Sequence, residues 1–299
     1  MHRTPEFEAY IAEAKALPQI WRLILGVIII LFCYISGTLM ILGIAGGTVA
    51  AQEGLFGILP FMQDLMLANT PGHLMVMLCT FLGFFLGSIL AAAACHYRGP
   101  GSLFGDFDEW LRGFLVGIVV TGVILGALTA TAFLVDPPEQ ITEWSTWLKW
   151  MPLAIVLLFI QTGGEELVFR GYLQQQLAAR FASRAIWMWI PSVIFAALHW
   201  NPDAGQNLTL LLLSTLTFGL IAADLTERTG SLGAAMGIHF ANNFLALYVL
   251  ILSPQMRGMA LFASSQDIGE VGIVTIGLVV NILAILAVWW GVVKVMERT

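Results

Sequence analysis

The stretch GGEELVFRGYL, residues 163–173, sets Glu165, Glu166 and Arg170 inside sequence that is otherwise apolar. Further on come His199, then His239 with Asn242 and Asn243, again among apolar residues. An ionisable group in such a setting is costly to bury and points to function. Helix geometry sorts these residues. Glu166 and Arg170 are four apart and share a face, so each can satisfy the other. Glu165 is turned about 100° from Glu166 and has no cation at a matching position, so its partner must come from another helix. His239 and Asn243 are also four apart and present to one point, while Asn242 faces elsewhere. Glu165, His199 and the His239–Asn243 pair are therefore candidates for one buried polar cluster.

A carboxylate beside an imidazole can hold a water and take its proton. A second imidazole with a carboxamide can donate hydrogen bonds to a developing oxyanion. Together these are the means for amide hydrolysis by activated water. A metal-dependent version exists, in which Glu165, His199 and His239 hold a zinc ion with an open position. The chain has no His-Glu-x-x-His, so such a set would have to assemble from three helices.

The elements that must position these groups are membrane helices. Of 299 residues, 59% are apolar and 11% charged, with mean hydropathy +0.86. Soluble domains carry about 25% charged residues. Net charge −6 argues against nucleic acid as a partner. Cys33, Cys79 and Cys95 are far apart in apolar sequence and give neither a metal spacing nor a disulfide framework. The reading is an all-α polytopic membrane protein forming one membrane domain over residues 1–299. An amphipathic cytoplasmic leader occupies 1–19, with Glu6, Glu8 and Glu13. The apolar run after it is too long for a signal peptide and is read as the first membrane span. About eight spans are expected, at roughly 20–44, 73–95, 113–135, 151–174, 185–200, 207–224, 231–252 and 271–294, since a crossing takes about 20 apolar residues. The core helices of the candidate site lie within 150–252.

Lysine and arginine set the orientation. Arg3, Lys15, Arg22, Arg98, Arg112, Arg170, Arg180, Arg184, Arg228, Lys294 and Arg298 fall on one side, and only Lys149 and Arg257 on the other. Both termini are therefore expected in the cytoplasm, with the loops 46–72 and 136–148 outside. Counting along the spans puts Glu165 about 20 Å below the outer edge, and His239 and Asn243 about 12 and 18 Å above the inner one, which is compatible. His199, about 21 Å from the inner face, sits less comfortably with them. The pairs Gly83/Gly87, Gly113/Gly117 and Gly122/Gly126 are read as close helix contacts within the chain. His73 and His96, at span ends, are read as interfacial, as are tryptophans such as Trp21 and Trp289. Residues 174–184 are expected to lie on the cytoplasmic face or to continue the fourth span.

At these residues the chain resembles the CPBP family of intramembrane proteases, also called the Abi or CAAX-protease family. Its three motifs stand in order. Glu-Glu-x-x-x-Arg is Glu165-Glu166-Leu167-Val168-Phe169-Arg170, Phe-x-x-x-His is Phe195 to His199, and His-x-x-x-Asn is His239 to Asn243. They span about a quarter of the chain. The resemblance implies an endopeptidase cutting membrane-associated or lipid-modified peptides near the cytoplasmic side of a membrane, here most naturally a bacterial plasma membrane. It implies Glu165 as general base, His199 helping to activate water, His239 and Asn243 as the oxyanion site, and Glu166 and Arg170 as supports for Glu165 and its helix. Family members have been described both as metalloproteases and as metal-free glutamate proteases. With two histidines in the cluster, the metal-free version is preferred, with zinc on Glu165, His199 and His239 as the alternative. Two other functions compete: a non-proteolytic immunity or scaffold protein that binds a membrane partner, and a proton-coupled transporter. The transporter would be expected to show paired, broken-helix halves, and no such repeat is visible.

Overall fold

The computed structural model describes residues 3–297, so Arg298, counted above among the cytoplasmic cations, lies outside the described residues. The protein is an all-α polytopic membrane protein. Among the described residues, six helical stretches are long and apolar enough to cross a bilayer: Ile20–Glu53, Pro71–His96, Phe107–Val135, Trp144–Arg180, Pro202–Thr229 and Ile273–Met296. Each overlaps one of the expected spans. The segments expected at 185–200 and 231–252 are helical but shorter, over Ala185–Ala197 and over 233–249.

Two short helices, α1 (Pro5–Tyr10) and α2 (Ala12–Lys15), precede α3 (Ile20–Glu53). The leader is docked on the bundle: Phe7 and Ile11 are fully buried, and Thr4 donates to the Glu227 carbonyl. Tyr10 donates to the Leu103 carbonyl, and burial pushes its phenol above the usual range. Helix α3 runs past the expected span and ends at Gly54, whose φ of 81° suits a residue without a side chain. The segment 46–72, expected as an outer loop, is largely helical. After α3 come a 3-10 turn, Leu55–Gly57, and α4 (Ile58–Leu67). Scarcity of cations there is a matter of topology and carries no information about backbone conformation.

Helices α5 (Pro71–Cys79) and α6 (Leu82–His96) lead to a short turn, α7 (Gly101–Phe104), and then α8 (Phe107–Val135). Asp106 caps α8 by accepting from the amides of Asp108 and Glu109. Helix α9 (Trp144–Glu166) passes into a π-helical stretch, Leu167–Gln174, and then α10 (Gln175–Arg180). The fourth span therefore continues to Arg180. A π-helical turn of Ala185–Trp189 opens α11 (Ile190–Ala197), where Pro191 sits in the first turn and needs no amide partner. Next come α12 (Leu208–Thr229), α13 (Gly233–Phe244) with its π-helical continuation Leu245–Val249, and α14 (Ile273–Met296). Three two-residue strands, β1 (Glu139–Gln140), β2 (Leu250–Ile251) and β3 (Phe262–Ala263), close one end in the order β1-β3-β2.

Backbone contact holds the site helices in place. A Cβ on Gly233 would stand 2.0 Å from the Trp110 carbonyl oxygen, and one on Gly237 2.3 Å from that of Phe114. Helix α13, which carries His239, is thus pressed onto α8. The expected close contacts hold for Gly113 and Gly117 against α13 and for Gly83 and Gly87 against α3. Gly122 and Gly126 differ, since no atom lies within 4 Å of a Cβ placed there. On α9, a Cβ at Gly164 would meet the Phe81 carbonyl at 3.1 Å, so the residue before Glu165 fixes the spacing to α6.

Candidate active site

Helices α9 and α13 bring the carboxylates and one imidazole together. Arg170 Nη1 donates to Glu166 Oε1 at 3.0 Å, the pair expected from their spacing. Arg170 Nη2 donates to the Gly219 carbonyl on α12 at 3.1 Å, and its guanidinium lies 4.7 Å from the centre of the Phe195 ring. The ion pair therefore ties α9 to α12 and α11. Glu166 and Arg170 are 0% and 1% exposed, so each depends on the other for its charge.

His239 lies 2.7 Å from Glu166 Oε1 through Nδ1, and 3.4 Å from Glu165 Oε2 through Nε2. An ionised carboxylate only accepts, so Nδ1 carries a proton and donates it to Glu166. That hydrogen bond turns Nε2 toward Glu165. His239 thus stands between the two carboxylates, with Arg170 paired to Glu166 behind it. Glu165 is the least enclosed of the cluster at 9% exposure, against 0% for Glu166 and 3% for His239.

Asn243, half-buried, is drawn in by a residue that spacing had not singled out. Its Nδ2 donates to Gln161 Oε1 at 3.1 Å, and its Oδ1 accepts from Asn242 at 3.0 Å. Gln161 is 6% exposed and lies one turn before Glu165 on α9. With its carbonyl taken by Asn243, its NH2 group is left to donate. Extending the four-residue spacing backward from Glu165 would have found it. Asn242, expected to face elsewhere, instead braces Asn243.

His199 is placed differently. It lies just past the end of α11, is exposed, and engages the Phe195 carbonyl through Nδ1 at 2.8 Å. Among the described residues it makes no hydrogen bond or ion pair with Glu165, Glu166 or His239. Phe195 links the two imidazoles, its ring centre 4.6 Å from that of His199 and 5.9 Å from that of His239. The structure thus joins Glu165, Glu166, Arg170 and His239 directly, adds Asn243 through Gln161, and sets His199 across Phe195. Among the described residues no three His, Cys, Asp or Glu side chains come together as a group that could hold a metal ion, and His199 lies apart from Glu165 and His239.

Comparison with known proteins gives two similarities. Residues 146–245 match the family model for type II CAAX prenyl endopeptidase, Rce1-like, and this stretch contains every residue of the cluster described above. The chain is also 29% identical over 146 residues to an uncharacterized protein of Bacillus subtilis strain 168, YyaK, across 47% of this chain and 48% of that protein. The chain thus spans about half the length of the curated relative it matches.

Proposed function

From the match of residues 146–245 to the Rce1-like type II CAAX prenyl endopeptidase family, we propose that this chain is an intramembrane endopeptidase in which Glu165, poised by His239, activates water. The observation that carries this reading is the 3.4 Å approach of His239 Nε2 to Glu165 Oε2, with the imidazole fixed from behind by Glu166 and Arg170. Water held by Glu165 gives it a proton as the water oxygen attacks the peptide carbonyl. The tetrahedral oxyanion is met by donors one turn away, the carboxamides of Asn243 and Gln161. Glu165 then passes its proton to the departing amine, the carbon–nitrogen bond breaks, and Glu165 returns to its ionised form. His199 Nε2 has no hydrogen-bond partner among the described residues and can hold the attacking water from the far side of Phe195. This reaction is metal-free. Its substrates are peptides of membrane-associated or lipid-modified proteins, and the positive-charge bias supports a site on the cytoplasmic side.

The experiment is a comparison of membrane proteomes from cells carrying the wild-type chain or Glu165→Gln. New peptide termini present only with the wild type support the proposal. A variant that retains the wild-type phenotype with no change in peptide termini points to a partner-binding role instead.

A further inference from the structure

A second polar cluster lies at the opposite end of the π-helical stretch from Glu165, and hydrolysis does not use it. His96, expected at the interface, is 4% exposed, and its Nε2 is 2.9 Å from the Tyr172 hydroxyl. That hydroxyl fits where α3 has no side chain, since a Cβ on Gly26 would stand 1.7 Å from it. Three arginines surround this pair, and His96 lies within electrostatic reach of all three. Arg22, in the first turn of α3, donates to the Cys95 carbonyl. Arg98, 3% exposed, donates through Nη2 to the Ser102 carbonyl and to Gln175. Arg180, ending α10, donates to Gln176 and to the Gln19 carbonyl.

The donors outnumber the acceptors. Arg22 Nε, Arg180 Nε, and both Nε and Nη1 of Arg98 are buried with no hydrogen-bond partner among the described residues. Unmet donors on buried cations are costly. The one anion that approaches, among the described residues, is Glu13 of the leader, whose Oε2 is 3.9 Å from Arg98 Nε and whose side chain is 63% exposed. Three guanidiniums thus face a single loosely held carboxylate. The cluster lies at the start of α3 and the end of α6, where spans reach the headgroup layer. It is flanked by Trp21 and Tyr97, 53% and 79% exposed, and Arg22 packs on both rings. Exposed aromatics of this kind sit at headgroup level.

We propose that Arg98 and Arg22, with Arg180, form a binding site for the phosphate of an anionic glycerophospholipid headgroup, and that Glu13 occupies its edge when the lipid is absent. Guanidinium forks match phosphate oxygens in geometry and charge. A bound lipid would lock the start of α3, the segment after α6 and the end of α10 together.

The test is native mass spectrometry of the full chain released from detergent with phosphatidylglycerol or phosphatidylcholine at equal concentration. One phosphatidylglycerol retained per chain, with phosphatidylcholine lost, is expected, and equal retention of the two overturns the site. Arg98→Gln should weaken retention by about tenfold or more, the scale of a lost charged hydrogen bond. Because Arg98 is buried, Arg22→Gln and Glu13→Gln provide variants at less enclosed positions. The first should lower retention and the second raise it, and no change in either overturns the proposal. Inorganic phosphate supplied alone separates the two sources of the group. Displacement of the lipid by phosphate at equal concentration would show a free-anion site and overturn the lipid assignment.

Discussion

His239 Nδ1 stands 2.7 Å from Glu166 Oε1, and this contact decides what the other side of the ring can do. With Nδ1 committed to donating, the remaining nitrogen is aimed at Glu165, 3.4 Å away. Glu166 thus reaches Glu165 through His239, and Arg170 holds Glu166 in turn.

Glu165→Gln removes the proton acceptor while keeping shape and volume. Peptide cleavage should fall by roughly 10²–10⁴-fold, the usual contribution of a general base. Thermal unfolding of the purified variant in detergent should stay near that of the wild type. Retained turnover would move the base elsewhere.

Arg170→Gln leaves Glu166 buried without its cation and should destabilise the chain by about 3–5 kcal/mol. Adding Glu166→Gln to it should restore much of that loss, because the uncompensated charge is gone. A double-mutant cycle by chemical or thermal unfolding measures the coupling. Strictly additive effects would mean that the pair does not act as a unit.

Gln161→Leu should lower kcat by roughly 10²-fold with KM little changed, the signature of a donor used mainly in the transition state. A rise in KM with kcat preserved would assign Gln161 to substrate binding.

Gly237→Ala drives a methyl group into the Phe114 carbonyl, where the built Cβ lies 2.3 Å away. Forcing α13 off α8 should cost about 1–3 kcal/mol in unfolding stability. Activity should fall further than stability, because His239 lies two residues on. Gly122→Ala, at a position with no neighbour within 4 Å, is the matched control and should change neither.

Exhaustive chelation and subsequent metal analysis should leave cleavage intact in protein carrying no stoichiometric zinc. Activity that disappears with the metal and returns with added zinc would replace the glutamate mechanism by a metal-bound water.

Much of the site was legible before any coordinates. Spacing alone pairs Glu166 with Arg170, because neighbours four apart on one helix do not depend on the rest of the fold. The same reasoning leaves Glu165 in need of a partner from another helix, and His239 takes that place. Long apolar runs give the six long helices through the same local logic. Spacing could not reveal that one imidazole serves both carboxylates, that Gln161 captures Asn243, or that His199 turns to the Phe195 carbonyl. Nor could it place the amphipathic leader, whose Phe7 and Ile11 pack into the bundle.

The division reflects the range of the forces. Sequence determines whatever is settled within a turn or two of helix: which segments are apolar enough for lipid, and which charges share a face. Contacts between distant segments depend on how closely their backbones approach and at what rotation. Here Gly233 and Gly237 against α8 and Gly164 against α6 set those distances. The π-helical turns after Glu166 set the rotation of α10 relative to α9, and periodicity at 3.6 residues per turn carries no trace of it.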